Sequence, residues 1–101
     1  MRIIEKISDR ITDEIGDART YALMALETRD DHPDLSRTLI TISLQEMEHM
    51  RMLHDAVVNV IAEYRKTNGE PPEKMMAVYE YLHKKQIEAA AEAKNIQAMY
   101  K

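Results

Sequence analysis

Apolar residues recur every three or four positions along most of the chain, which is the spacing of one face of an α-helix. The pattern breaks twice, at His32-Pro33 and at Asn68-Gly69. Proline is favoured in the first turn of a helix, and glycine just beyond the last turn. The breaks predict three helices, over about 3–29, over about 33–67, and from 70–73 to about 100. No segment shows the alternation of a strand.

Each predicted helix carries an apolar stripe in steps of three and four. In the first helix the stripe consists of Ile4, Ile7, Ile11, Glu14, Ala18, Tyr21 and Ala25. In the second it consists of Leu35, Leu39, Ile42, Glu46, His49, Leu53, Ala56 and Val60. In the third it consists of Met75, Tyr79, Leu82, Gln86, Ala89, Ala93 and Ile96. Ionisable residues at Glu14, Glu46 and His49 interrupt the first two stripes. Because a buried, unpaired charge is costly, we interpret these three as ligands of a metal ion.

The three ionisable residues are expected at one level of a helical hairpin. Glu14 lies about 18 residues before the turn near His32, and Glu46 and His49 lie about 14 and 17 residues after it. At about 1.5 Å per residue, antiparallel packing brings all three to nearly the same height. The i, i+3 spacing also puts Glu46 and His49 on one face of their helix.

One Glu from one helix and Glu-x-x-His from its neighbour make half of the ligand set of a di-iron or di-manganese carboxylate site. Carboxylate and imidazole ligands without thiolate suit iron, with manganese as the alternative. Two chains related by a twofold axis would complete the set. The sequence therefore predicts an all-α fold, in which an antiparallel two-helix hairpin forms a four-helix bundle by dimerisation and a third helix follows it.

A second Glu-x-x-His motif, formed by Glu80 and His83, lies in the third helix. It is one position off the apolar stripe, and a simple hairpin leaves it roughly 14 Å from the level of the first motif. We therefore expect a surface or subunit-contact role for Glu80 and His83 and rank them below the first three residues as metal ligands. Asp17, one turn from Glu14, is also a weaker candidate, since ordinary acidic residues are solvated.

A metal-free interpretation of the same residues is open as well. A buried Glu–His hydrogen-bonded pair can set the register of two helices without an ion, or the stripe that holds these residues can simply face solvent. The alternative to a metalloprotein is then a helical bundle that acts through protein–protein interaction. Metal content separates these two interpretations.

Composition narrows the class of protein. With 101 residues one domain is expected, made of the hairpin over 1–68 and the C-terminal helix over 69–101. The chain has no Cys, which excludes disulfides, zinc–thiolate sites and iron–sulfur clusters. A net charge of −4 without a basic run argues against nucleic-acid binding. No apolar run reaches the length of a membrane span and the N-terminus is not a signal peptide, so we expect a cytoplasmic protein.

The residues around the three candidates resemble a known superfamily. Glu14 with Tyr21 seven positions on, the helix start Pro33-Asp34-Leu35 and the segment 45–50 are similar to ferritin-like proteins, and most similar to the encapsulated ferritins. The likeness covers about residues 8–60. Its Glu-x-x-His core is specific only in combination with Glu14 and the spacing between them.

The resemblance implies a homodimer, often assembled into a ring, with a di-iron ferroxidase centre formed by Glu14, Glu46 and His49 of both subunits. It implies an oxidoreductase that oxidises Fe²⁺ for iron storage or detoxification inside an encapsulin-type shell, a protein nanocompartment of the cytoplasm. Two features differ from the family, because residues 97–101 do not resemble a shell-docking tail and the third helix carries its own Glu-x-x-His. A free-standing ferritin-like oxidase and a rubrerythrin-like peroxide scavenger therefore stay open as alternatives.

Overall fold

The computed structural model describes residues 2–101, and these form three helices. Helix α1 spans Arg2–Thr28, α2 spans Pro33–Asn68 and α3 spans Glu73–Ala98. The predicted bounds are confirmed to within about two residues, which is the usual uncertainty of a helix end. No strand occurs within residues 2–101, so the predicted all-α class is confirmed. No helix among these residues is both long and apolar enough to cross a bilayer.

The two turns form where the sequence places its helix-breaking residues. Pro33 is the first residue of α2, and the backbone N–H of His32 donates to the carbonyl of Thr28 at 2.8 Å. Gly69 follows α2 with a φ of 77°, a backbone conformation that is costly for residues with a Cβ. Its N–H donates to the Arg65 carbonyl at 3.2 Å. Pro72 then directly precedes α3, because a proline cannot donate the backbone hydrogen bond of a helix interior.

Small residues bring α1 and α2 into close antiparallel contact. Ala18 and Ala25 are fully buried. The Ser43 hydroxyl donates to the Ala18 carbonyl at 2.6 Å, and the Ser36 hydroxyl donates to the Ala25 carbonyl at 2.6 Å. A hydroxyl can reach a backbone carbonyl of the neighbouring helix only where no large side chain holds the two backbones apart. These two hydrogen bonds therefore fix the register of the hairpin.

Helix α3 runs parallel to α1 and antiparallel to α2, and it packs mainly on α1. The Gln86 side chain donates to the Ser8 carbonyl at 3.0 Å and to Thr12 Oγ1 at 3.1 Å. Near the other end, the Gln97 side chain donates to Ser43 Oγ at 2.9 Å. The result is a rod of 56 × 18 × 18 Å.

The buried face of α2 coincides only in part with its predicted apolar stripe, since Leu39 is buried and Leu53 and Val60 pack against the core. The buried residues of α2 are Ser36, Leu39, Ser43, Met47, Val57 and Ile61. Within the single chain, Leu35 is 49% exposed and the His49 side chain is 54% exposed. The reason is that the two serines bond to the backbone of α1, which turns the stripe to the flank of the hairpin.

Candidate metal centre

The register of the hairpin brings Glu14 beside Glu46 and His49. Ser43 bonds to Ala18, and one turn beyond this contact α1 presents Glu14 while α2 presents Glu46. One potential ligand atom from each of Glu14, Glu46 and His49 lies within 4.8 Å of the other two. The predicted common level of the three residues is therefore confirmed. Within residues 2–101 these three form the one such group of His and acidic side chains.

The group has an inner, carboxylate side and an outer, imidazole side. His49 Nδ1 lies 3.4 Å from Glu14 Oε2 and 4.0 Å from Glu46 Oε2. The Glu14 side chain is 13% exposed and that of Glu46 is 19% exposed, while His49 stands at the rim. An ion between them would have carboxylate oxygens beneath it and an imidazole nitrogen on the solvent side.

One carboxylate oxygen of this group is poorly satisfied. Glu14 Oε2 is buried and, while both carboxyls are ionised, accepts no hydrogen bond, although His49 Nδ1 lies 3.4 Å from it. Its other oxygen, Oε1, lies 3.6 Å from Nη2 of Arg10, whose guanidinium also pairs with Asp13 at 3.3 Å. A buried carboxylate oxygen without a donor is costly, and native structures rarely leave one without a reason. The donor set therefore fits a hard or borderline divalent cation.

The two carboxyl groups oppose each other's ionisation. The pKa of Glu46 is raised from its ordinary value of 4.5 to about 7. The largest cause is a hydrogen bond between the protonated Glu46 carboxyl and Glu14, followed by burial and by the negative charge of Glu14, while His49 acts in the opposite direction. Protonation of Glu46 relieves the repulsion between the two carboxyls, and a cation bound between them would do the same.

The weaker candidates lie elsewhere. Asp17 is exposed and outside the group, although its charge contributes to the raised pKa of Glu46. Glu80 is exposed on α3 and borders a groove beside Arg65. His83 stacks on His54 of α2, with ring centres 4.8 Å apart. The structure does not bring Glu80 or His83 to the first motif, in agreement with the difference in level that the sequence predicts.

Helix α3 does not cover the group. Ser8 and Thr12 face α3, because both accept a hydrogen bond from the side chain of Gln86. Successive residues are rotated by about 100° around the axis of α1, so Glu14 points about 120° or more away from these two residues. The surface around the group is largely apolar, and we call it the open face. It comprises Glu14, Tyr21, Leu35, Ile42, Glu46, His49 and Met52, and it is bordered by Ile7, Leu53 and Val60, which also pack against the core.

Sequence reasoning missed the polar residues that position the group. Ser36 and Ser43 were absent from the predicted stripe, yet they set the register. The signal was present, because the two serines are seven residues apart and so are Ala18 and Ala25. A matched repeat of small residues on two helices indicates close backbone contact. Arg10 gave no comparable signal, since an Arg four residues before a Glu is common on exposed helix faces.

Comparisons of the chain with protein families, with curated proteins and with solved structures find no match.

Proposed function

We propose that this protein is a ferritin-like ferroxidase whose iron site is shared between two subunits. The observation that carries the proposal is the Glu14–Glu46–His49 group, in which the buried Glu14 Oε2 accepts no hydrogen bond while both carboxyls are ionised. The two carboxyls satisfy each other only by sharing a proton, whereas a cation bound between them would satisfy both in their ionised form. The donor types favour iron, with manganese as the alternative.

The open face supports a dimeric site. It surrounds one Glu and one Glu-x-x-His with apolar side chains, among them Leu35, which is half exposed in the single chain. Two such faces packed about a twofold axis would form a four-helix bundle and join two half-sites into the full carboxylate–histidine set. Assembly of these dimers into a ring and enclosure in an encapsulin-type shell are the further parts of the proposal that rest on the resemblance.

The reaction treats ferrous iron as the substrate. Two Fe²⁺ ions each lose one electron, and dioxygen takes up both electrons and two protons to give hydrogen peroxide. Glu46 of each chain would be shared between the two ions, while Glu14 and His49 would be terminal ligands that each bind a single ion. The carboxylates offset the increase in metal charge on oxidation, and this stabilises Fe³⁺ relative to Fe²⁺.

The test is the iron content of each oligomeric species after anaerobic loading with Fe²⁺. We expect about one iron per chain in the dimer or a larger species, and none in the monomer. Glu46→Ala should lose this iron and should not consume oxygen on addition of Fe²⁺. Glu80→Ala is the matched control, because it removes the equivalent residue of the second motif and should retain both properties.

Other outcomes discriminate between the alternatives. Stoichiometric iron in the monomer would contradict a shared site. No stoichiometric iron or manganese in the wild-type protein would leave the metal-free helical bundle. Stoichiometric iron that turns over with hydrogen peroxide and not with dioxygen would indicate a rubrerythrin-like peroxide scavenger.

A further inference from the structure

The second Glu-x-x-His motif has no part in the proposed iron site, but its histidine meets another histidine. His83 of α3 stacks on His54 of α2 with ring centres 4.8 Å apart and an angle of 17° between the ring planes. Tyr79 also stacks on His83, with ring centres 5.9 Å apart. The two imidazoles lie on different helices, so any ligand that binds both would link α2 to α3.

The separation of the rings matches that of two imidazoles on one metal ion. A zinc–nitrogen distance of about 2.0–2.1 Å places each ring centre about 3 Å from the ion. Two rings bound to one ion with a nitrogen–metal–nitrogen angle of about 90–110° then have centres roughly 4.5–5 Å apart. The observed 4.8 Å falls in this range. The rings are stacked with their planes 17° apart, so binding of one ion would require each ring to rotate until one nitrogen of each points at a common position.

The surroundings suit such an ion. Both histidines line a cavity of about 360 Å³ together with Met50 and Gln86, which leaves room for water at the remaining coordination positions. His54 Nδ1 lies 3.9 Å from Oδ1 of Asp55. This distance is too long for a hydrogen bond, so Asp55 does not fix the tautomer of His54. The Asp55 carboxylate is nevertheless near enough to accept from the second nitrogen when the other nitrogen binds a metal.

Two basic side chains border the cavity. The guanidinium of Arg51 pairs with Glu48 at 3.1 Å and with Asp55 at 3.4 Å, and Lys94 lies at the opposite, α3 side. Burial and then His54 lower the pKa of His83, which favours its uncharged imidazole, the form that binds a metal ion.

We propose that His54 and His83 form a second metal site, which binds a divalent transition-metal ion with affinity for imidazole and clamps α3 onto α2. Imidazole ligands without carboxylates suit Zn²⁺, Cu²⁺ or Ni²⁺ better than the harder cations. The site is independent of the proposed iron centre, because no residue is common to both. Its consequence is mechanical: α3 packs mainly on α1, and the ion adds a direct link to α2.

The test uses Zn²⁺ alone with a Glu14→Gln/Glu46→Gln variant, so that the iron centre cannot contribute. We expect about one Zn²⁺ per chain by titration calorimetry and a higher melting temperature in its presence. Addition of His83→Ala to this variant should weaken Zn²⁺ binding at least about tenfold and abolish the rise in melting temperature, since one of two ligands is lost. Addition of Glu80→Gln is the matched control and should leave both unchanged.

A spectroscopic measurement keeps the proposal testable even if His83→Ala folds poorly. In the Glu14→Gln/Glu46→Gln variant, Zn²⁺ should shift the imidazole NMR resonances of His54 and His83, and not those of His32. Unchanged resonances of the pair, or Zn²⁺ affinity that is unaffected by His83→Ala in a folded protein, would overturn the proposal. Either result is separate from the iron experiment, which is read on Glu46.

Discussion

The two Glu-x-x-His motifs of this chain have the same spacing and different surroundings. At the first, α1 supplies Glu14, and the group becomes two carboxylates and an imidazole within 4.8 Å. At the second, α2 supplies His54, and the result is a stacked imidazole pair. The spacing places two side chains on one face of a helix, but the residue from the neighbouring helix decides the chemistry.

The two motifs also differ in which residue points inward. In the first, Glu46 is 19% exposed and His49 is 54% exposed. In the second, Glu80 is exposed and His83 is partly buried. The first motif thus presents oxygen to its neighbour and the second presents nitrogen. The difference favours a hard or borderline cation such as Fe²⁺ at the first and a softer, imidazole-binding ion at the second.

The largest effect is expected on removal of the carboxylate that distinguishes the two motifs. Glu14→Ala leaves only Glu46 and His49, which lie on one helix. The first motif is then reduced to the same pair of residue types that the second motif has on α3. We expect Fe²⁺ binding, measured anaerobically by equilibrium dialysis, to weaken by about a hundredfold or more, since a direct ligand is lost. Asp17→Ala is the control, because Asp17 is exposed one turn away; equal losses in both variants would contradict the assignment.

The next effect is on the pH dependence of the metal-free protein. The folded-state pKa of Glu46, about 7, lies above its ordinary value of 4.5. Its contribution to stability is therefore full below about pH 4.5 and is lost as the pH rises through about 7. We expect the free energy of unfolding of wild type, measured by urea denaturation in chelator, to fall by about 2 kcal/mol relative to that of Glu46→Gln between pH 5 and pH 8. Parallel stability curves for the two proteins would show that the carboxyls do not interact.

A smaller effect separates the two histidines. His83→Ala removes the ring that stacks between His54 and Tyr79, so we expect the metal-free protein to lose about 1 kcal/mol of unfolding free energy at pH 7.5. His49→Ala removes a half-exposed side chain and should change stability by less than about 0.5 kcal/mol. Chemical denaturation of both variants in chelator checks this, and a reversed order would contradict the described burial.

The smallest effect is the pH dependence at the second motif, which has the opposite sign. Burial and then His54 lower the pKa of His83. The contribution of His83 to the free energy of unfolding is therefore full above its ordinary pKa of 6.5 and is lost as the pH falls. In chelator, the unfolding free energy that His83→Ala loses relative to wild type should become smaller between pH 7.5 and pH 5.5, by less than about 1 kcal/mol. A deficit that grows toward low pH would mean that the folded protein favours the charged imidazole.

Much of the candidate site could be predicted from the sequence because it depends on counting along helices. The positions of Pro33 and Gly69 define the turns, and a rise of about 1.5 Å per residue then sets the level of every side chain. Glu14 was matched to Glu46 and His49 in this way, and the structure confirms it. The same count separated Glu80 and His83 from them.

The face of α2 that is buried could not be predicted in the same way. Its apolar stripe was expected at the centre of the core, but Ser36 and Ser43 lie there as well, because each bonds to a carbonyl of α1. A hydroxyl looks polar in a sequence until its acceptor on another helix is known. The stripe consequently lies at the edge of the core, with Leu39 buried and with Leu35 and His49 exposed on the open face.

The sequence by itself determined three helices, their lengths, their turns and the common level of Glu14, Glu46 and His49. These properties are local or follow from the rise of a helix, so the order of residues contains them. Only the tertiary structure decided that α3 lies on the side away from the open face and that His83 meets His54. Both depend on the rotation of one helix against another, which is set by the packing and hydrogen bonds of Ser8, Gln86 and Ser43 together.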